Sequence, residues 1–273
     1  MKTKYLLTLA LLASSSISVS AAPPVITKET RLDKKGKKVV YMFIDGIKVH
    51  ETDPAKQPQP KVVTPKPYDA KAAKAPANAK ILFDGTEKSY QNWTDKKGGP
   101  TKWKLVKGSL ESVRRSGYIQ SKEKFGSCRL HIEFATPSVV KGDGQGRGNS
   151  GVFLMGQYEV QVLDSYQNQT YPDGQCGALY GRAKPLVNAS RKPGEWQTYD
   201  IICIREKKGA DGKVIQPGSI TVLHNGIVTQ FSVQEGGRQS TGGLQLQDHG
   251  NPVRYRNIWA RKLVVPAVKA PGK

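Results

Sequence analysis

The sequence predicts an all-β fold, an antiparallel sandwich or barrel, on three observations. Short strand-like runs recur from residue 81 to residue 264 between Gly, Pro and Asn turn signals. No long amphipathic helix interrupts them. Asn225-Gly226, between Thr221-Val222-Leu223-His224 and Ile227-Val228-Thr229, reads as a two-residue hairpin turn needing positive φ.

In chain order the runs are Ile81-Leu82-Phe83, Trp103-Lys104-Leu105-Val106, residues 109–113, 117–121 and 127–135. Val152-Phe153-Leu154-Met155 follows, and Gly156-Gln157 turns the chain into Tyr158-Glu159-Val160-Gln161-Val162-Leu163. Residues 196–205, 219–224, 227–233, 243–247 and 255–264 complete the set, with no internal repeat. Side chains two apart on a strand share a face, so Glu159 and Gln161 point one way and Tyr158, Val160 and Val162 the other. Polar groups on an otherwise apolar pattern make that face the candidate for chemistry.

Ahead of the strands, Lys2 and Lys4 precede an apolar run over 5–13 and a small-residue zone ending at Ala21-Ala22. This reads as a secretory signal over 1–22 rather than a membrane span. Residues 23–52 hold two strand-like pieces, 39–44 the stronger, with a hairpin turn at Asp45-Gly46. Residues 53–79 are rich in Lys, Pro and Ala and read as an extended or mostly disordered basic linker. The folded domain is expected over 80–265, with a tail over 266–273. No later apolar run is long enough to cross a bilayer, so a soluble exported protein, periplasmic or extracellular, is expected. Cys128, Cys176 and Cys203 allow either one disulfide with a free thiol or three buried thiols.

A formal net charge of +21, from 43 Lys+Arg against 22 Asp+Glu, points toward an anionic partner. Much of it sits before residue 80, as in Lys34-Lys35-Gly36-Lys37-Lys38, and no aromatic-basic nucleic-acid module accompanies it. Nucleic acid is therefore set aside in favour of cell-envelope polyanions bound through the basic N-terminal segment.

Several segments together resemble one family. They are Phe83-Asp84-Gly85-Thr86, Gly148-Asn149-Ser150-Gly151-Val152-Phe153, residues 158–165, residues 174–181, Pro193-Gly194-Glu195-Trp196 and residues 246–259. In order and spacing, over about 80–264, they look like the exported bacterial 3-keto-disaccharide hydrolases, also described as 3-keto-glucoside lyase/2-hydroxyglucal hydratases. The resemblance implies a concanavalin A-like jelly-roll of two antiparallel sheets with sugar on the concave side. It also implies a 3-keto-glycoside substrate, cleaved by elimination across C1 and C2 and then hydrated. The alternative is a lectin-like binding module of the cell envelope without catalysis.

Such an elimination needs a base for the acidic C2 hydrogen, a stabiliser for the enolate and an acid for the departing group. Glu159 is the first candidate base, against a purely structural carboxylate. Asp164 ends the same strand and could equally cap the turn after it. His249 lies in a glycine-flanked loop beside Asp248 and is the best acid-base imidazole. Gln161, Arg147, Asn149, Gln175, Tyr180 and Arg254 supply amide, guanidinium and phenol groups suited to sugar hydroxyls or an enolate. Glu133, sharing a face with His131, is a second-tier carboxylate. A divalent metal could be held by Glu159, Asp164 and His249, though no spacing selects one. The tryptophans Trp93, Trp103, Trp196 and Trp259 sit in strand-like contexts and are read as core.

Overall fold

The structure is a computed structural model that describes residues 58–71, 73–236 and 241–265, together with the backbone of three short strands before residue 49. The expected signal segment over 1–22, the turn at Asp45-Gly46 and the tail over 266–273 lie outside these residues. The chain divides into two compact units, Met1–Lys48 and Val49–Lys273. In the first, β1 (Ile26–Leu32), β2 (Lys38–Ile44) and β3 (Ile47–Lys48) form an antiparallel sheet in that order, with Ile26 opposite Ile44 and Leu32 opposite Lys38.

The second unit begins with β4 (Lys61–Val62), β5 (Lys80–Phe83), the single turn α1 (Glu87–Tyr90), β6 (Trp93–Asp95), β7 (Lys104–Val106) and β8 (Ser109–Glu111). It continues through β9 (Ile119–Phe125), β10 (Cys128–Ala135), β11 (Ser150–Leu154), β12 (Tyr158–Val162), β13 (Val187–Asn188) and β14 (Gln197–Ile204). It ends with β15 (Lys207–Lys208), β16 (Val214–Gln216), β17 (Gly218–His224), β18 (Ile227–Glu235), β19 (Gly242–Leu246) and β20 (Arg254–Lys262). No helix among the described residues is long and apolar enough to cross a membrane.

Two antiparallel sheets carry the fold. The larger runs β18-β17-β14-β10-β20-β8-β7, with β5 also paired to β20, and the smaller runs β12-β11-β19-β9-β6. Strand alternation turns Leu130, Ile132 and Phe134 of β10 and Tyr199, Ile201 and Cys203 of β14 inward. From the other sheet Val152, Val160, Val162 and Leu246 meet them in one apolar core. The hairpin turn between β17 and β18 falls at Asn225 (φ 52°) and Gly226 (φ 79°), the conformation an Asn-Gly pair adopts most easily. Trp93, Trp103 and Trp259 are buried, whereas Trp196 lies half-exposed under the guanidinium groups of Arg254 and Arg256. All three cysteines are free and buried, which decides for three thiols; burial pushes Cys128 and Cys203 up to about 12 and Cys176 up to about 11.

One expectation is corrected by the structure. Residues 58–71 and 73–79 are not a loose tether but a strap laid on the sandwich. Gln59 Nε2 donates to Thr170 O (2.8 Å), β4 pairs parallel with β13, and Arg191 Nη2 donates to Lys66 O (2.7 Å). Tyr68 OH donates to Glu133 Oε1 (2.8 Å), while Asn257 Nδ2 (2.9 Å) and Trp259 Nε1 (3.2 Å) both donate to Ala73 O. The strap also accounts for β10, where His131 and Glu133 on the outer face are as buried as the core face. Its composition gave no sign of order because it is held through backbone carbonyls and one phenol, which leave no apolar period to read.

A chain beginning at Lys80 keeps most of both sheets but loses these bonds. At about 1 kcal/mol net for each hydrogen bond, it should be less stable by on the order of 5 kcal/mol than a chain beginning at Pro58. Urea unfolding of the two chains checks this, and equal midpoints would remove the strap from the account of stability.

Candidate active site

The β11–β12 hairpin builds the site. Its register sets Phe153 opposite Glu159 and Gly151 opposite Gln161, while Val152, Val160 and Val162 face the core. The turn is closed by Met155 (φ 51°) and Gly156 (φ 69°). Glu159 therefore lies on the outer face of the smaller sheet, where its carboxyl folds back across Gly151. A Cβ on Gly151 would collide with Glu159 Oε1, so only glycine leaves the carboxyl this seat.

Glu159 is half-buried and has no ion pair among the described residues. With Gln161's amide turned over, its nitrogen would donate to Glu159 Oε1 (3.2 Å) and Ser150 O (3.1 Å). Burial alone, with no cation nearby to oppose it, pushes the Glu159 carboxyl up to about 7. Beside it, Tyr180 N donates to Glu159 O (3.0 Å), and the phenol oxygens of Tyr171 and Tyr180 meet at 2.6 Å. Burial first, then Tyr180 and the Asp173 and Glu159 charges, raise the Tyr171 phenol far above its ordinary value. Gln145 ties this corner together. Its Nε2 donates to Gly174 O (2.9 Å), its Oε1 accepts from Asn149 Nδ2 (3.2 Å), and it stands 3.1 Å from the Gln161 amide, accepting from it only in the orientation not turned over.

The residues named from sequence fall into three groups. Glu159, Gln161, Asn149 and Tyr180 come together around Gln145 and Tyr171. Asp164, Arg147 and Gln175 hold the loop beside them. Arg147 Nε donates to Asp164 Oδ2 (2.6 Å) and its Nη2 to Tyr166 O (2.9 Å), while Tyr166 N donates to Asp164 Oδ1 (3.2 Å). Burial raises the Asp164 carboxyl in spite of Arg147. Gln175 spends its amide on Ser165 Oγ, Gln59 Oε1 and Asn168 O.

Glu133 and Arg254 form the third group, on the outer face of the larger sheet and so across the core from Glu159. Glu133 accepts from Tyr68, Arg256 Nε (2.7 Å) and Asn257 Nδ2 (2.6 Å), and lies 3.7 Å from His131 Nε2. Burial works to raise its carboxyl, but these donors together hold it down to about 2. His249 is solvent-exposed in the loop after β19. Asp248 does not orient it, because that carboxylate accepts from Gly117 N (3.1 Å) and Gly250 N (2.8 Å) and pins the loop instead. Among the described residues no three His, Cys, Asp or Glu side chains gather as a metal set, so Glu159, Asp164 and His249 do not fit a shared ion.

Sequence reasoning passed over Gln145 and Tyr171, which lie in loops without periodicity, and also Phe153, Gln245 and Gln120. The last two were within reach, since Ile119-Gln120-Ser121 and Leu244-Gln245-Leu246-Gln247 alternate as β11 and β12 do.

An antiparallel sandwich with amides and one partly buried acid on one sheet face, and two loop phenols beside them, is here that of a carbohydrate-active, hydrolase-like protein, as the family match and the related structure show. Residues 78–261 match the family described as the 3-keto-alpha-glucoside-1,2-lyase-like domain, and the chain belongs to that family. A crystal structure of a provisionally assigned glycosyl hydrolase from Parabacteroides distasonis is 41% identical, with 76% of this chain and 93% of that one aligned at a TM-score of 0.64. A second one from the same organism, 20% identical over 68% of this chain and 94% of that one, shares the fold at a TM-score of 0.52. No curated protein matched the chain.

The raised carboxyl makes a stability prediction. An acid whose folded value lies above its unfolded one, here 4.5, contributes stability that is complete below the unfolded value and is lost as pH rises through about 7. Glu159→Gln should therefore stabilise the protein at about pH 8, by on the order of 3 kcal/mol at most. The gain should fade toward about pH 5. Urea unfolding at both pH values measures it, and a gain that grew on acidification would contradict the burial argument.

Proposed function

We propose that the protein cleaves 3-keto-glycosides by elimination across C1 and C2 followed by hydration, with Glu159 as the base. The observation that carries this reading is the Glu159 carboxyl itself, seated over Gly151 without a cation and brought to about 7, where it can both take and return a proton near neutrality. The ketone at C3 acidifies the C2 hydrogen. Glu159 removes that proton, and the C–H electron pair becomes the C2–C3 enolate. Hydroxyl donation from the adjoining Tyr171–Tyr180 pair steadies the enolate oxygen.

Collapse of the enolate expels the group on C1, whose oxygen takes the proton from Glu159, leaving a C1=C2 double bond beside the ketone. Glu159, again ionised, takes a proton from water as it adds to C1 and delivers that proton to C2. The net change is hydrolysis. Gln161 and Asn149, buried against Gln145, brace the corner in which the acid and the phenols stand, and Asp164 with Arg147 positions the loop that carries Tyr171. No step passes through a metal or through His249. The sandwich is read as a concanavalin A-like jelly-roll, and the signal-like N-terminus supports action outside the cytoplasm. Contact with envelope polyanions would rest chiefly on the basic residues before 58, outside the described residues.

Turnover of a 3-keto-disaccharide, followed by release of free 3-keto sugar or by glucal absorbance, tests the proposal. Glu159→Gln should lower kcat by roughly 10²- to 10⁴-fold. The wild-type rate should rise with pH through about 7, as the carboxyl ionises. Sugar binding without turnover would leave the lectin-like alternative standing in its place.

A further inference from the structure

The buried amide of Gln161 stands among three acceptor oxygens. One end lies 3.1 Å from Gln145 Oε1, and the other lies 3.1 Å from Ser150 O and 3.2 Å from Glu159 Oε1. A primary amide donates from one end only, so whichever way Gln161 lies, one side of it faces oxygen with oxygen. Gln145 cannot relieve the conflict. Its Nε2 donates to Gly174 O (2.9 Å) and Thr170 Oγ1 (3.3 Å), and turning it over would set two oxygens 2.9 Å apart. Its Oε1 is held toward Gln161 by Asn149 Nδ2, which is itself tied to Gln145 O (2.8 Å).

Of the three acceptors only Glu159 can supply the missing donor, by carrying a proton. When it does, its hydroxyl donates to Gln161 Oε1, and Gln161 Nε2 donates to Gln145 Oε1. When it is ionised, that arrangement would press the Gln161 oxygen against a carboxylate. Turning over brings Nε2 to the carboxylate and to Ser150 O, at the loss of the bond to Gln145. A hydrogen bond to a charged acceptor is the stronger kind, so the ionised acid draws the donor end to itself.

We infer that Gln161 is a positioning residue that turns over with the protonation of Glu159, and that Gln145, by holding the unturned orientation, helps to keep the proton on the acid. Burial already brings the carboxyl up to about 7, so both arrangements are populated near neutrality. The other titratable groups about this corner are the Tyr171 and Tyr180 phenols, the Tyr255 phenol from the core, and Asp173, which acts on Tyr171. Burial raises Tyr171 and Tyr255, which stay neutral while Glu159 exchanges its proton. Use of the coupling in catalysis rests on the elimination reading of Glu159.

Carboxyl-carbon NMR titration tests the coupling, with the Glu159 signal assigned by its loss in Glu159→Gln. Wild type is compared with Gln145→Met, Gln161→Met and the double variant, each shown by urea unfolding to remain folded. Gln145→Met should lower the Glu159 midpoint by about half a pH unit or more. The same change made in Gln161→Met should leave the midpoint unmoved. A midpoint that Gln145→Met does not lower, or a shift that persists without the Gln161 amide, overturns the inference. In wild type the side-chain amide protons of Gln161 should change their shifts through the same midpoint, and constant shifts across it overturn the inference even where a variant fails to fold. On a 3-keto-disaccharide, the rising limb of kcat/KM should move down with the carboxyl in Gln145→Met. A limb that stays in place while the carboxyl moves upholds the coupling and removes Glu159 as the base.

Discussion

The register of the β11–β12 hairpin is the constraint on which the remaining architecture of the site depends. Val152, Val160 and Val162 must face the core, and because side chains alternate, that requirement sends Gly151, Phe153, Glu159 and Gln161 to the outer face. A slip of one residue would drive a carboxyl and an amide into an apolar interior at a cost of several kcal/mol. Hydrophobic packing thus fixes where the acid stands. Gly151 then fixes how it lies.

Two glutamates in one sandwich show how far surroundings can separate the same functional group. Glu133 is completely buried yet held ionised, because His131, Asn257, Arg256 and Tyr68 all act on it to lower its carboxyl. Glu159 is less buried yet drawn to about 7, because nothing cationic reaches it. The number and charge of donors, rather than depth, decide the outcome. Glu133 holds the strap against the larger sheet, whereas Glu159 keeps a proton it can exchange.

Much of this was legible in the sequence wherever one face of a strand meets the core and the other meets water. The strand runs, the Asn225-Gly226 turn and the pairing of Glu159 with Gln161 on one face all follow from a period of two. Periodicity tells which residues share a face, but not which of two sheets they belong to. Arg254 and Glu133 alternate as convincingly as Glu159 and yet project from the opposite side of the sandwich. Asp164 beside Arg147 and Gln175 beside Gln59 depend on contacts between segments 17 and 116 residues apart, which no local pattern encodes. The strap was hidden for a related reason: its anchors are carbonyl oxygens, which every residue has.

The outer face of the smaller sheet has a consequence for how the protein can change over generations. Gln120, Phe153 and Gln245 come from three strands, and each is flanked along its strand by residues that do the packing. Any one of them can be exchanged without disturbing the interior. At Gly151 a side chain would displace the Glu159 carboxyl from where it lies, so a change there moves the acid as well. That face thus joins positions free to vary with one whose change would also move the acid.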